Sequence, residues 1–246
     1  MSLTLPNTPI TGDGIRAKAA AWEFNKEVAI AFDSHVSKSV PYYQETHQVV
    51  VEMSDWFVSD GSVVYDLGCS TGTLISDLVR RHAAINRDVR FIGLDKSEPM
   101  LEQAQKNLEG YRNVELLRGD ALTHQFANGV SMVYSLYTLQ FVDPLHRQAL
   151  IQRIYNCLAP RGAFVLVEKV LDHDPVVEDI FIHLHWSKKA QMGFDVTEIY
   201  AKAQSLRGVL VPYTVEENKH LLENAGFRRI STFFQWCNFI GFLAIK

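Results

Sequence analysis

The sequence predicts a doubly wound α/β sheet of seven mostly parallel strands with an antiparallel edge strand, and three observations carry that prediction. Short runs of strand character alternate with amphipathic helical segments from Val63 to Val167, the pattern of a parallel sheet with right-handed crossovers. Asp66, Asp95 and Asp120 close three successive strand runs. A glycine-bearing turn, Asp66-Leu67-Gly68-Cys69-Ser70-Thr71-Gly72, joins the first of those runs to its helix.

The chain opens on a stretch, Met1 to Gly14, rich in Thr, Pro and Gly. It has neither the basic start nor the apolar middle of a secretory leader, so residues 1–20 are expected to form a flexible tail and 21–246 a single domain. From Trp22 to Val58 the pattern is helical. Phe24, Val28, Phe32 and Val36 recur at spacing four until Pro41 breaks the run. A second helix is expected over Gln44–Phe57, which makes 21–60 a pair of lid helices. Strand one is Val63–Leu67, followed by a helix to about Ala84. Strand two, Arg90–Leu94, leads into a helix that Ser97 caps and Pro99 opens. Strands three and four are Val114–Leu117 and Val130–Leu136. A helix over Arg147–Leu158 stops at Pro160, and strand five is Ala163–Val167. Residues 171–213 depart from the rhythm and read as a helical lid insertion. The α/β order resumes with a helix over Val215–Asn224, a cap at Gly226 and two closing strands near Arg229–Phe234 and Phe239–Ile245. No helix separates those last two, so one is expected to run antiparallel at the edge.

Composition narrows the function classes. The 246 residues are 47% apolar and 21% charged, with a net charge of −4, ordinary for a soluble globular protein and without a polyanion-binding footprint. Arg80-Arg81 and Lys188-Lys189 are only short basic pairs, so direct nucleic-acid binding is disfavoured. Three widely spaced cysteines, Cys69, Cys157 and Cys237, make neither a disulfide framework nor a zinc site and suit the cytoplasm. No His/Asp/Glu cluster has metal-ligand spacing, and no apolar run approaches membrane-spanning length.

In an open α/β sheet, ligands lie beyond the carboxyl ends of the strands. A turn with Gly68 and Gly72 brings bare backbone close to a guest, but no lysine follows it as in a phosphate-binding loop, and Asp66 would repel a phosphate. Asp95 is placed to accept from both ribose hydroxyls and Asp120, beside Ala121, from the amine of adenine. Asp66 and the backbone around Gly68 are left for an aminoacyl end. A nicotinamide dinucleotide would require Gly-x-Gly-x-x-Gly; here the turn reads Gly68, Ser70, Gly72.

The turn resembles motif I of class I S-adenosyl-L-methionine-dependent methyltransferases, whose fold is Rossmann-like. Further blocks resemble a narrower family, the carboxy-S-adenosyl-L-methionine synthases, which act in making 5-oxyacetyl uridine at the tRNA wobble position. These are Trp22-x-Phe24, Ser39-Val40-Pro41-x-Tyr43, Tyr65 to Ser70, Thr138-Leu139-Gln140-Phe141, Arg147-Gln148-Ala149-Leu150, Glu168-Lys169 and Phe234-Gln235-x-Cys237-Asn238-Phe239. The likeness covers residues 20 to 246. It implies that Tyr43 contacts the sulfonium ligand and that Gly68, Cys69 and Ser70 line the aminoacyl end. It also implies that Asp95 with Lys96 holds the ribose and Asp120 with Ala121 the adenine, and that the protein is a homodimer.

Two positions depart from that family. Its carboxylate-gripping arginine falls on Ala203, and its asparagine after strand four falls on Leu136. A ligand carboxylate in a closed pocket needs a charge-assisted partner, and Arg207, one helical turn on, is the nearest replacement. The expectation is therefore methyl transfer from S-adenosyl-L-methionine to a small-molecule acceptor, leaving S-adenosyl-L-homocysteine. Carboxyl transfer from prephenate to S-adenosyl-L-methionine is the alternative, and a non-catalytic nucleoside-binding protein the third. His183, His185 and Tyr134 are the candidate catalytic residues for methyl transfer. Tyr137, Glu168, Trp186, Tyr200 and Arg207 are the candidate acceptor contacts.

Overall fold

The computed structural model describes residues 8–85 and 87–246. Residues 1–7 of the expected tail lie outside them. The elements are α1 (Lys26–Ser39), α2 (Tyr43–Met53), β1 (Ser62–Leu67), α3 (Thr73–Ala84), β2 (Val89–Asp95), α4 (Glu98–Asn107), β3 (Val114–Arg118) and β4 (Val130–Leu136). They continue with α5 (Pro144–Cys157), β5 (Leu158–Leu171), α6 (Pro175–Gln191), α7 (Val196–Ser205), β6 (Tyr213–Thr214), α8 (Val215–Ala225), β7 (Arg229–Trp236) and β8 (Phe239–Ile245). The main sheet runs β3-β2-β1-β4-β5-β8-β7, and the two-residue β6 pairs with the end of β5.

The alternation of strand side chains builds two cores, as a doubly wound sheet requires. On one face Val133 and Phe164 pack with Leu150, Ile151 and Ile154 of α5 and Leu221 and Leu222 of α8. On the other, Met132, Tyr134 and Val165 pack with Val50 and Val51 of α2 and Leu74, Ile75 and Leu78 of α3. Local chemistry starts the helices where it can. Ser97 accepts from the Met100 N–H to cap α4, Asp143 caps α5 ahead of Pro144, and Asp195 and Thr214 form capping boxes for α7 and α8.

Three expectations are corrected. First, the reversed strand is not at the edge. β8 is antiparallel to both β5 and β7, so it lies one strand in. β7, at the rim, runs with the parallel strands. A β-hairpin forces adjacent strands to reverse, and the greasier member, with Phe239, Ile240, Phe242 and Ala244 all buried, takes the inner place. Second, Pro160 does not merely stop α5. The helix ends at Cys157, and Pro160, Arg161 (φ 67°) and Gly162 form an irregular start to β5 opposite the Val130–Met132 register shift. Third, residues 8–20 are not a free tail. Ile15 and Ala17 are buried with Trp22, Val28 and Met100 in a third apolar cluster, and the Ala20 and Trp22 N–H groups donate to Gln204 and Ser205 at the end of α7. Polar composition hid two small apolar anchors.

Candidate functional site

The chain runs outward through β1, β2 and β3 and returns to β4 on the far side of β1, so the strand order, not the strand direction, reverses between β1 and β4. A cavity of about 540 Å³ lies at that switch point. Helices α1, α2, α6 and α7 and the strap before α1 roof it.

On the β1–β3 side the turn geometry is set by backbone demands. Gly68 has φ 71°, and a Cβ there would sit 2.3 Å from the Thr138 hydroxyl. Its N–H donates to Leu94 O at 2.7 Å. Ser70 also adopts positive φ, 52°, held by its N–H donating to Asp95 Oδ2 at 2.9 Å. The other Asp95 oxygen accepts from Ser97 N at 2.8 Å. One carboxylate thus fixes both the glycine turn and the start of α4, while burial raises its pKa. Asp120 accepts from Leu122 N and pairs with Lys96 at 2.8 Å. Burial works against its ionisation, but the ammonium and the backbone donors outweigh it and hold the carboxyl below the usual range.

Asp66 is different. It is 5% exposed, lines the cavity, and no donor among the described residues reaches its carboxylate. Burial, helped by Asp95, pushes its pKa up to about 7. A buried carboxylate of this kind fits the ammonium of an amino-acid ligand.

Tyr43, Gly68, Cys69, Ser70, Asp66, Asp95, Lys96, Asp120, Ala121 and Leu136 all line the cavity, as do Tyr137, His185, Trp186 and Arg207. Tyr137, at φ 56°, is turned inward just after β4 by its N–H bond to Val167 O. Its hydroxyl is buried without a partner among the described residues. His185 points Nε2 at Ser39 O, 2.8 Å away. Burial and two nearby lysines keep it neutral, so the ring N–H is the donor.

Five expected site residues lie elsewhere. Tyr134 is fully buried in the core and donates to Val50 O at 3.1 Å, because side chains alternate along β4 and its neighbours face the other way. His183 stands on the outer side of α6, its side chain 67% exposed beside Asp179; two residues along a helix cannot share a face with His185. Tyr200, 56% exposed, is likewise on the outside of α7. Gly72 has φ 78° at the N-cap of α3 and packs under Leu108 and Ala104, so it shapes the turn without lining the cavity. Glu168 is 2% exposed and accepts from the N–H groups of Leu139 and Gln140 at 3.0 and 2.8 Å. It holds the 138–141 turn in place, and burial, only partly offset by those donors, lifts its pKa to about 8.

Beyond Lys96 and Arg207, the sequence reading missed three cations. Lys169 at the end of β5, Lys189 on α6 and Lys202 on α7 all line the cavity. Lys189 and Lys202 are each 8% exposed, and no carboxylate among the described residues pairs with any of the three. Burial, with Lys169 nearby, brings Lys189 down to about 7. Burial and then Lys189 bring Lys202 well below the usual lysine value, and its ammonium lies over the Trp22 ring. Spacing carried the signal: Lys189 is one turn from His185, and Lys202 lies between Ile199 and Leu206 on the inward stripe of α7. His35 also lines this wall, stacked on Trp22 and bonded to Asp13 at 3.1 Å. Burial and the lysines hold its pKa down to about 3.

Among solved structures, the chain is similar to phosphoethanolamine N-methyltransferase 2 of Haemonchus contortus, in complex with S-adenosyl-L-methionine. The TM-score is 0.62 at 16% identity, over 91% of this chain and 57% of that one. An O-methyltransferase family protein from Burkholderia thailandensis gives 0.62 at 15% identity, over 90% and 60%. These likenesses show the fold. Residues 64–162 match the model of a methyltransferase domain. The chain is 38% identical to the carboxy-S-adenosyl-L-methionine synthase of Wolinella succinogenes, over 92% of this chain and 93% of that protein. It is 38% identical to the synthase of the same name from Methylococcus capsulatus, over 91% and 93%. The protein is thus an enzyme of the transferase class with S-adenosyl-L-methionine as its cofactor. At that identity and coverage, on a switch-point cavity bordered by acids at one end and lysines at the other, the chain belongs to the carboxy-S-adenosyl-L-methionine synthase family.

Proposed function

We propose that the protein makes carboxy-S-adenosyl-L-methionine by adding a carboxyl group to the methyl carbon of S-adenosyl-L-methionine. One observation carries the reading: Lys169, Lys189 and Lys202 line the cavity with no acid beside them among the described residues. A methyl acceptor needs no such wall, whereas a carboxylated product and an anionic carboxyl donor both do. Ala203 therefore does not leave the cavity without a cation, since the charge comes from neighbouring positions instead.

In this reading Asp66 takes the ligand ammonium and the Gly68-Cys69-Ser70 backbone its carboxylate end. Asp95 and Lys96 face the ribose, Asp120 and Ala121 the adenine, and Leu136 and Tyr43 the sulfonium side. The transfer balances simply. A methyl C–H bond breaks, and a C–C bond forms to the donor's carboxyl carbon. That carbon's bond to the donor breaks, and its electron pair and the methyl proton pass to the donor fragment. The bound sulfonium supplies the acidity of the methyl group. The lid's part is to hold two anions close to it and exclude water.

Mass spectrometry of the ligand released from purified protein, with turnover of S-adenosyl-L-methionine plus prephenate, tests the reading. An adenosyl ligand heavier by one carboxyl group is expected. Release of S-adenosyl-L-homocysteine, with a methylated product from a small-molecule acceptor and none of the carboxylated nucleoside, would favour the second reading, methyl transfer, which Ala203 supports. The assembly proposed is a cytoplasmic homodimer. Val176, Ile180 and Leu184, 66%, 50% and 46% exposed, form an apolar stripe at spacing four along α6 that a second copy can cover. Light scattering at the mass of one chain would refute it.

A further inference from the structure

Arg147 on α5 is 1% exposed and among the largest fully buried side chains. No carboxylate among the described residues pairs with it. Its guanidinium bonds three backbone carbonyls instead. Nε donates to Val142 O at 2.9 Å, and Nη2 reaches both Gln140 O at 3.2 Å and Val211 O at 2.6 Å. The Tyr213 ring lies 4.3 Å from Cζ, against the guanidinium face. Burying a guanidinium without an acid is costly, and an apolar side chain would fill the space more cheaply. What the arginine supplies is the geometry of its bonds.

Those carbonyls belong to two stretches of chain that both wall the cavity. Phe141 and Val142 line it from the turn after β4. Leu206, Leu210 and Pro212 line it from the leg that brings the lid back from α7 to β6. Among the described residues, that leg has one backbone bond to the turn, Val211 N donating to Gln140 O at 2.9 Å. Gln140 is held in turn by the sheet: its N–H donates to Glu168 at 2.8 Å, and its Oε1 accepts from Lys169 N at 2.9 Å. Its Nε2 donates to Tyr137 O at 3.3 Å. One peptide therefore joins Glu168 to Arg147, and with them the lid to Tyr137 and Lys169.

We propose that Arg147 is a positioning residue, a latch that holds the returning leg of the lid against the turn after β4 and so keeps the cavity formed for S-adenosyl-L-methionine. It touches no ligand and acts through the backbone of residues that do line the cavity. A lysine cannot take its place, because one ammonium on a flexible stem cannot meet carbonyls of two chain segments and also lie flat on Tyr213. Without the guanidinium, the Val142 and Val211 carbonyls lose a donor and turn to water, which opens the leg.

Two measurements on the intact protein test the latch in Arg147→Lys, Arg147→Met and Tyr213→Leu. One is hydrogen exchange read segment by segment, with and without S-adenosyl-L-methionine. The other is calorimetric affinity for the same ligand. In both arginine variants, exchange is expected to quicken by about tenfold or more in residues 206–213 and in the 138–142 turn, while β1 and β2 keep their wild-type rates. With the leg in place only about a tenth of the time, S-adenosyl-L-methionine affinity falls about tenfold, and saturating ligand restores the protection of the leg. Tyr213→Leu keeps every hydrogen bond of the guanidinium and should show the same local pattern at about threefold. It decides the question by itself should the arginine variants fail to fold. Wild-type protection of residues 206–213 in the folded variants, faster exchange spread evenly over the sheet, or unchanged affinity would each overturn the latch. None of these readouts depends on which group the enzyme transfers, so the latch and the proposed activity stand or fall separately.

Discussion

Asp66 shows how one buried group links stability to ligand binding. Its unfolded carboxyl ionises near 4, while the folded one ionises at about 7. The folded state therefore loses stability as pH rises from 4 to 7, and the penalty is constant above that. Asp66→Asn should stabilise the ligand-free protein at pH 8 by about 1–3 kcal/mol, with the difference disappearing towards pH 4, as denaturant titrations at the two pH values would show. The same variant should weaken S-adenosyl-L-methionine binding by about tenfold or more. Wild-type affinity should rise with pH up to 7 and then level off, because only the carboxylate attracts an ammonium. An affinity that falls over that range would contradict the assigned contact. Asp66, Asp95 and Asp120 were legible as strand-end acids because a polar residue closing an apolar run stands out. Lys189 and Lys202 were not, because a lysine on a lid helix reads equally as a solvated face until the helix is seen docked.

Among the elements, the β1–α3 turn does most to position the ligand side of the cavity. Gly68 tolerates positive φ and the Thr138 hydroxyl in the place a Cβ would occupy. Gly68→Ala is expected to destabilise by about 1–3 kcal/mol, from the left-handed backbone and the displaced Thr138. Thermal unfolding would register it, and a neutral result would mean that the 138–141 turn gives way freely. That turn is held by Glu168 from β5 and in turn holds β5, since Gln140 Oε1 accepts from Lys169 N at 2.9 Å. The block Thr138-Leu139-Gln140-Phe141 and the pair Glu168-Lys169 were recognisable as a resemblance, but their mutual contact is tertiary. Elements with strong local signals matched their expected places, as β4 over Val130–Leu136 and the Ser97 cap show. The β7–β8 hairpin was read, but not which strand lies inside, because that is fixed by the pairing of β8 with the distant β5.

Across the whole molecule, the N-terminal strap helps to roof the cavity beyond the strand ends. Ile15 and Ala17 anchor it in a cluster with Val28 and Ala29 of α1 and Met100 of α4, and Trp22 carries it over Lys202. Deleting residues 1–18 should cost about 2–4 kcal/mol, mainly from the lost burial of Ile15 and Ala17 and the exposure of their cluster. Urea titration with an unchanged midpoint would show instead that the segment is dispensable. Among the described residues no helix is long and apolar enough to cross a membrane.

The sequence by itself determined the layered α/β architecture, the carboxyl-end location of the cavity and the three strand-end acids that line it. These follow from periodicity and from residues that are unusual where they stand. Only the tertiary structure decided which lid residues face inward, which histidine is buried, and that three lysines share one wall. A side chain's electrostatic surroundings depend on residues far away in the chain, brought together only when α6, α7 and the strap close over the sheet.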